Sequence, residues 1–576
     1  MSEEGGNMST LLIIFALSIY LIFYFTYGKF LQKRIVGETE IEVPSKRMND
    51  GVDYIPAHRL VLFGHHFASI AGAGPIVGPV LALAWGWLPA ILWIWIGNVL
   101  IGAVHDYLSL MVSVRYDGKS IQYVAKDLLG KNAGISFLWF VLFLVILVIG
   151  AFAAIIADTF VSVPGSSTAY ILQIIAALIL GVLLYRSKLP FWLSSLIGII
   201  LLAFSIYGGF LWPIHLTYHT WIIILFFYII IASAIPVNIL LQPRDYLNSY
   251  LLYFGMLVGI VAALMSLKSF DIPAFTSFSA NVIGGKSTPY WPAIPLIIAC
   301  GALSGFHSMV ASGTSSKQLA SEGDGLFIGY GSMLTEGFLS TIVIVSIGAF
   351  GFTALGSHST ALANAHLFGQ NYISQFVGNL GGAVAAFSKS YATMVSSMLH
   401  IGYNFMVIIA SMWVAAFALT TLDTTNRIAR YIVVEISEPL QKESITLYKF
   451  FTNRWIASII PAFFGILLAW TKKYTVLWPA FSGANQLLAS IALITVSVWI
   501  YKKLNRKYLY YALIPGVFLW ITVTGALIWY TILIVPGYVK SNPLQGFLVG
   551  IIMVIMLILN FVLLFSMRSS FKKEEE

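Results

Sequence analysis

His65 and His66 are adjacent residues in a run from Leu60 to Val104 that contains no Asp, Glu, Lys or Arg. Histidine titrates near neutral pH, so such a pair can carry a proton or, as a cation, hold a carboxylate. Neighbours on a helix point about 100° apart, so one of the two is expected to face a cavity. His307, within Ala299–Thr314, stands in a similar apolar setting. Asp106 and Glu336 lie well inside apolar stretches of their own. A bare carboxylate in hydrocarbon costs about 2.5–3.5 kcal/mol, so each should be paired, protonated or wet. Asp423, in Thr420-Thr421-Leu422-Asp423-Thr424-Thr425, and the pair Arg244-Asp245 fall near the ends of further apolar stretches. Asp106, Glu336, Asp423, Arg244 and Asp245 therefore suit a coupling or gating network. For the last three an interfacial ion pair is the plainer use.

Around these side chains the backbone should be interrupted. Gly72, Gly74, Pro75, Gly78 and Pro79 follow the histidine pair within a few residues. Pro lacks an N–H and clashes with the preceding turn, and Gly is a poor helix former, so a helix should break near Gly72–Gly78. Irregular backbone at membrane depth survives only where protein buries it or a cavity solvates it. Free N–H groups at a half-helix N-terminus suit a substrate carboxylate. On this reading the binding residues are His65, His66, Ser69, Gly72, Gly74, His307, Ser308, Ser312, Gly313 and Thr314. The ordinary alternative for each Ser or Thr is a bond to its own helix carbonyl.

The bulk composition says what must hold them. The chain has 576 residues, mean hydropathy +0.88 and 10% charged residues, against about 25% charged in a soluble protein. It reads as an all-α polytopic membrane protein with about 15 transmembrane helices. Charge-free runs place spans near residues 10–30, 59–84, 86–114, 133–158, 168–185, 189–211, 220–241, 246–267, 292–317, 327–352, 391–421, 454–469, 477–499, 508–534 and 544–565. Phe368–Ser388, rich in glycine, suggests an extracellular or re-entrant element. Arg and Lys gather in alternate connections, which puts the N-terminus outside and the C-terminus in the cytoplasm. The net charge of +9 thus reflects orientation and the lipid bilayer rather than nucleic acid. The single cysteine, Cys300, excludes a disulfide framework and a cysteine metal cluster, and reads as an inert buried thiol. The first span reads as retained rather than as a cleaved leader. There is no Walker A sequence, Rossmann glycine pattern or HExxH, so no cofactor, resident metal or enzyme activity is expected.

A second segment echoes the first. At an offset of 241, Gly64 meets Gly305, His66 meets His307 and Gly72 meets Gly313. Seven spans separate the copies, so they would cross in opposite senses, as in inverted-repeat transporters with discontinuous helices. The division is then 1–58 for the first helix and a cytoplasmic loop, 59–290 for the first half, and 291–576 for the second half with C-terminal helices. The second break is expected at Ser312–Ser315.

The motif Gly64-His65-His66-Phe67-Ala68-Ser69-Ile70-Ala71-Gly72-Ala73-Gly74-Pro75 resembles that of the carbon starvation protein A family. So do Gly102-Ala103-Val104-His105-Asp106-Tyr107, Leu240-Leu241-Gln242-Pro243-Arg244-Asp245-Tyr246-Leu247 and Leu303-Ser304-Gly305-Phe306-His307-Ser308. The resemblance implies a prokaryotic inner-membrane transporter of peptides or pyruvate, in the amino acid/polyamine/organocation superfamily. The expected activity is import of small peptides or small carboxylates by alternating access, with H+ as coupling ion. Na+ coupling to an amino acid or carboxylate is the alternative. An intramembrane metal enzyme using His65, His66, His105 and Asp106, or a channel, are more distant readings.

Overall fold

Lys131–Ser162 shows what the sequence builds. Between its first turn and Asp158 it carries no charged residue, and it is buried along nearly its whole length at the centre of the molecule. A helix apolar on every face belongs in a bundle core or a bilayer. The computed structural model describes residues 7–37, 42–51, 54–235, 239–356, 360–472 and 474–572. Among them, 11 helices are long and apolar enough to cross a membrane, or up to 13 if each of two bent pairs counts as one span. The bent pairs are Arg59–Ile70 with Gly74–Trp85, at 47°, and Ile445–Thr452 with Arg454–Ala469, at 68°.

That count falls below the expected fifteen for local reasons. Tyr218–Ala234 is apolar but short. Tyr290–Ile297 and Phe306–Gly313 have 8 residues each, and neither can cross alone at 1.5 Å per residue. The expected span 391–421 is not one helix. Ala383–Leu399 ends at His400, which takes a left-handed conformation, and Tyr403–Ile436 begins anew. The joint His400-Ile401-Gly402 carries no Asp, Glu, Lys or Arg, so a charge-free run reads straight through it.

The ambiguous stretch 368–388 becomes the helix Ala365–Asn371, a π-helical turn Tyr372–Val377, and the start of Ala383–Leu399. It joins them through Gly381 and Gly382, whose positive φ angles of +97° and +101° favour glycine. Ser162 Oγ donates to Gly381 O at 2.7 Å and Ala383 N to Tyr474 OH at 3.1 Å, which pins this hairpin over one end of the central helix. One short hairpin departs from the all-α pattern. β1 (Ser279–Ile283) pairs antiparallel with β2 (Lys286–Pro289), from Ser279 opposite Pro289 to Ile283 opposite Lys286. Its turn is Gly284-Gly285, both at positive φ, which suits a tight hairpin.

Candidate functional site

The first interruption lies where the glycines and prolines predict it. Arg59–Ile70 ends at Ala71, whose φ/ψ of −79°/60° forms an inverse γ-turn. Gly72 N donates to Ile70 O across it at 2.9 Å. The second half opens at Gly74-Pro75, where Pro's missing N–H costs nothing. The glycines permit close approach. A Cβ on Gly72 would lie 2.7 Å from Thr421 Oγ1 and 3.0 Å from the Phe152 ring. A Cβ on Gly74 would lie 2.3 Å from Cys300 Cβ.

Cys300 belongs to the second interruption, residues 298–305, between Tyr290–Ile297 and Phe306–Gly313. Its backbone groups find partners on neighbouring helices, as buried irregular backbone must. Asn98 Nδ2 donates to Gly301 O at 2.8 Å, and Gln486 Nε2 and Trp93 Nε1 both donate to Ile298 O, at 2.6 and 3.2 Å. Trp478 Nε1 donates to Ile297 O at 2.8 Å. Asn485 caps the second half-helix: its Oδ1 accepts from Phe306 N at 2.8 Å, its O accepts from Gly305 N at 3.1 Å, and its Nδ2 donates to Ser304 Oγ at 2.9 Å. On the first span, Pro75 O accepts from Ser340 Oγ at 2.8 Å.

The two interruptions therefore touch. Between them, Ile70, Gly72, Val148, Phe152, Cys300, Ser304, Phe306, Thr421, Phe481 and Asn485 enclose a cavity of about 10 Å³, room for about one water.

Two buried polar systems adjoin this cavity. In one, His105 Nδ1 and His307 Nδ1 each lie 2.8 Å from an oxygen of Asp106, Oδ1 and Oδ2 respectively. His307 Nε2 is 3.5 Å from Glu336 Oε2, long for a hydrogen bond, and neither Glu336 oxygen has a hydrogen-bond partner. All four side chains are fully buried. In the other, Arg244 pairs with Asp423, with Asp245 Oδ1 at 3.2 Å and with Tyr228 OH at 2.6 Å. Thr420 Oγ1 donates to Asp245 Oδ1 at 3.1 Å and accepts from Asn248 Nδ2 at 3.0 Å. The next residue, Thr421, lines the cavity.

Asp106, Glu336 and His307 thus come together, as do Arg244, Asp245 and Asp423, while Gly72 and Gly74 stand at the touching breaks. His66 is fully buried, with Nδ1 2.7 Å from Ser315 Oγ and Nε2 without a partner. His65 is half-buried, its Nε2 also without a partner. Ser69, Ser308 and Ser312 donate to their own helix at His65 O, Gly305 O and Ser308 O. Ser312 Oγ also accepts from Ile121 N at 3.0 Å, away from the cavity.

The helix Phe306–Gly313 does end at Thr314, within the expected Ser312–Ser315, but the interruption that meets the first one is residues 298–305, at the other end of that helix. Gly313 and Thr314 are exposed, at the far end of Phe306–Gly313. His66 therefore precedes its break and His307 follows its own, so the 241-residue register pairs positions that are not equivalent. Both histidines lie on half-helices that pack against each other, and His66 reaches Ser315 in the turn that follows the second. Nor do His65, His66, His105 and Asp106 form a metal cluster among the described residues, because His66 turns to Ser315 and His105 to Asp106. The cavity residues that sequence reasoning passed over include Cys300, read as an inert thiol, and Asn485. For Asn485 the available signal was a polar residue in the middle of an apolar run.

Residues 8–526 match the family described as Carbon starvation protein CstA. The chain is similar to the "Peptide transporter CstA" of Bacillus subtilis, 32% identical with 96% of this chain and 95% of the relative covered. It is also similar to the Escherichia coli protein of the same description, 31% identical over 91% and 81%. The Escherichia coli "Pyruvate/proton symporter BtsT" is 30% identical, with 91% of this chain and 81% of the relative covered.

Proposed function

From the premise that this chain belongs to the carbon starvation protein CstA family, we propose that it is a secondary active transporter of small peptides or small carboxylates of the pyruvate type. It works by alternating access, coupled to protons, in a bacterial inner membrane with its N-terminus outside and its C-terminus in the cytoplasm. One observation carries the reading: two interrupted spans touch around a small cavity, and a buried chain of titratable groups adjoins it. The cavity admits about one water, so it is too small for a substrate in this arrangement. The touching halves must part to load cargo, which is what alternating access requires. In the parted state the capped N-terminus at Phe306 and the start of the half-helix at Gly74 supply partial positive charge for a carboxylate.

Protons fit the adjoining groups better than sodium does. With neutral imidazoles and ionised carboxylates, Asp106 and Glu336 leave two negative charges in a fully buried place. Such charge is costly unless compensated, so two protons bring the His105–Asp106–His307–Glu336 chain to neutrality. Loss of one would be offset by a change in the adjoining cavity. Sodium would need free carbonyls at the breaks, and those of Pro75, Ile297, Ile298 and Gly301 already accept hydrogen bonds. Arg244, Asp245 and Asp423 serve as the gate, tied to the cavity through Thr420 and Thr421.

Uptake of labelled dipeptides and of labelled pyruvate into proteoliposomes, under an imposed proton or sodium gradient, tests this. Proton-driven accumulation of either substrate without sodium supports it. Strict dependence on sodium would replace the coupling ion, and no accumulation of either class would remove the substrate assignment.

A further inference from the structure

The geometry points to a binding site for a first-row divalent cation of the zinc class at Cys300, His307 and Glu336, with its open position toward the cavity between the breaks. One ligand atom from each residue, the Sγ, a ring nitrogen and a carboxylate oxygen, lies within 4.8 Å of the others, and all three residues are buried.

His307 is held as a ligating histidine is held. Its Nδ1 is 2.8 Å from Asp106 Oδ2, and Asp106 Oδ1 is fixed in turn by His105. A carboxylate on one ring nitrogen orients the other toward a metal and raises its basicity. That other nitrogen, Nε2, faces Glu336 Oε2 at 3.5 Å, and neither it nor Oε1 and Oε2 of Glu336 makes a hydrogen bond. Buried polar atoms without partners are costly, and a single cation would satisfy them together.

The donor set selects the ion. A thiolate, an imidazole and a carboxylate suit zinc or cobalt, whereas magnesium and calcium take oxygen ligands. Zinc holds nitrogen and oxygen at about 2.0–2.2 Å and sulfur at about 2.3 Å, so tetrahedral ligands stand roughly 3.5 Å apart. The trio closes by about 1 Å to reach that shell. Three protein ligands leave one position open, and Cys300 itself lines the cavity, so a water or a carboxylate can fill it. Ligands bind deprotonated, so the ion competes with protons at Glu336.

Ion binding is measured here apart from transport. Full-length protein in detergent is stripped with a chelator and titrated with Co²⁺. Because the chain has one cysteine, a thiolate-to-cobalt charge-transfer band can come only from Cys300. The expected result is one Co²⁺ per chain with that band, displaced by Zn²⁺ and not by Mg²⁺. The band is absent in Cys300→Ser, and Glu336→Gln weakens binding at least tenfold. A saturating titration without the band, or Co²⁺ binding that Cys300→Ser and Glu336→Gln both leave unchanged, overturns the site. Gel filtration and far-ultraviolet circular dichroism establish that the variants are folded.

Discussion

Gly74→Ala should destabilise the protein, and Cys300→Gly should rescue it. The added Cβ would lie 2.3 Å from Cys300 Cβ and 2.4 Å from its Sγ. Carbon atoms pack best about 3.5–4.0 Å apart, so the overlap exceeds 1 Å and the two interrupted spans must part. Overpacking of this kind costs about 1–3 kcal/mol, which is about 5- to 150-fold in the folding equilibrium. Cys300→Gly alone removes a small buried side chain and adds chain freedom, at about 1–2 kcal/mol. In the double variant the new methyl group occupies the space the thiol left. The two effects should then fail to add, with a favourable coupling of about 1–3 kcal/mol. Equilibrium unfolding in mixed micelles, followed by circular dichroism for the four proteins of the cycle, measures that coupling. Additivity within about 0.5 kcal/mol would show that the breaks do not meet at these residues.

Asp423→Asn leaves the buried Arg244 with Asp245 as its remaining charge partner and should cost up to about 3–5 kcal/mol; a loss below 1 kcal/mol in the same assay would dissolve the network. Asn485→Ala strips the cap from Phe306 N and the partner from Ser304, worth about 1–3 kcal/mol, and unchanged stability would mean the cap is not formed. Gly313→Ala and Thr314→Ala, exposed and away from the cavity, should change stability by no more than about 0.5 kcal/mol and leave the KM for uptake unaltered; a raised KM would return them to the site. His307→Ala should abolish substrate-driven proton entry into proteoliposomes while the protein still elutes as a folded species. Proton entry at the unsubstituted rate would remove His307 from the coupling chain.

The first interruption could be read locally because five Gly and Pro residues crowd between Gly72 and Pro79. The second could not. Residues 298–305 contain Gly301 and Gly305 but no proline, and their irregular path is stabilised by Asn98, Trp93, Trp478, Asn485 and Gln486 from distant helices. No window of sequence around Cys300 holds that information, and the register that sets Gly72 opposite Gly313 points to the other end of Phe306–Gly313. The same limit hid Cys300, whose residue type suggests an inert thiol and whose place becomes apparent only when the two breaks face each other. Asp106, Glu336 and Asp423 were visible as carboxylates in apolar stretches, since the cost of burying them demands a reason. Their partners, 201 residues away for His307 and 179 for Arg244, are set by the packing of the bundle.

The lone thiol at the cavity offers the most direct measurement. In proteoliposomes, the rate at which N-ethylmaleimide labels Cys300 should fall saturably when pyruvate or dialanine is added, with half-protection near the KM for uptake of the same compound. Transport of that compound with labelling of Cys300 unaffected at every concentration would mean that cargo crosses elsewhere.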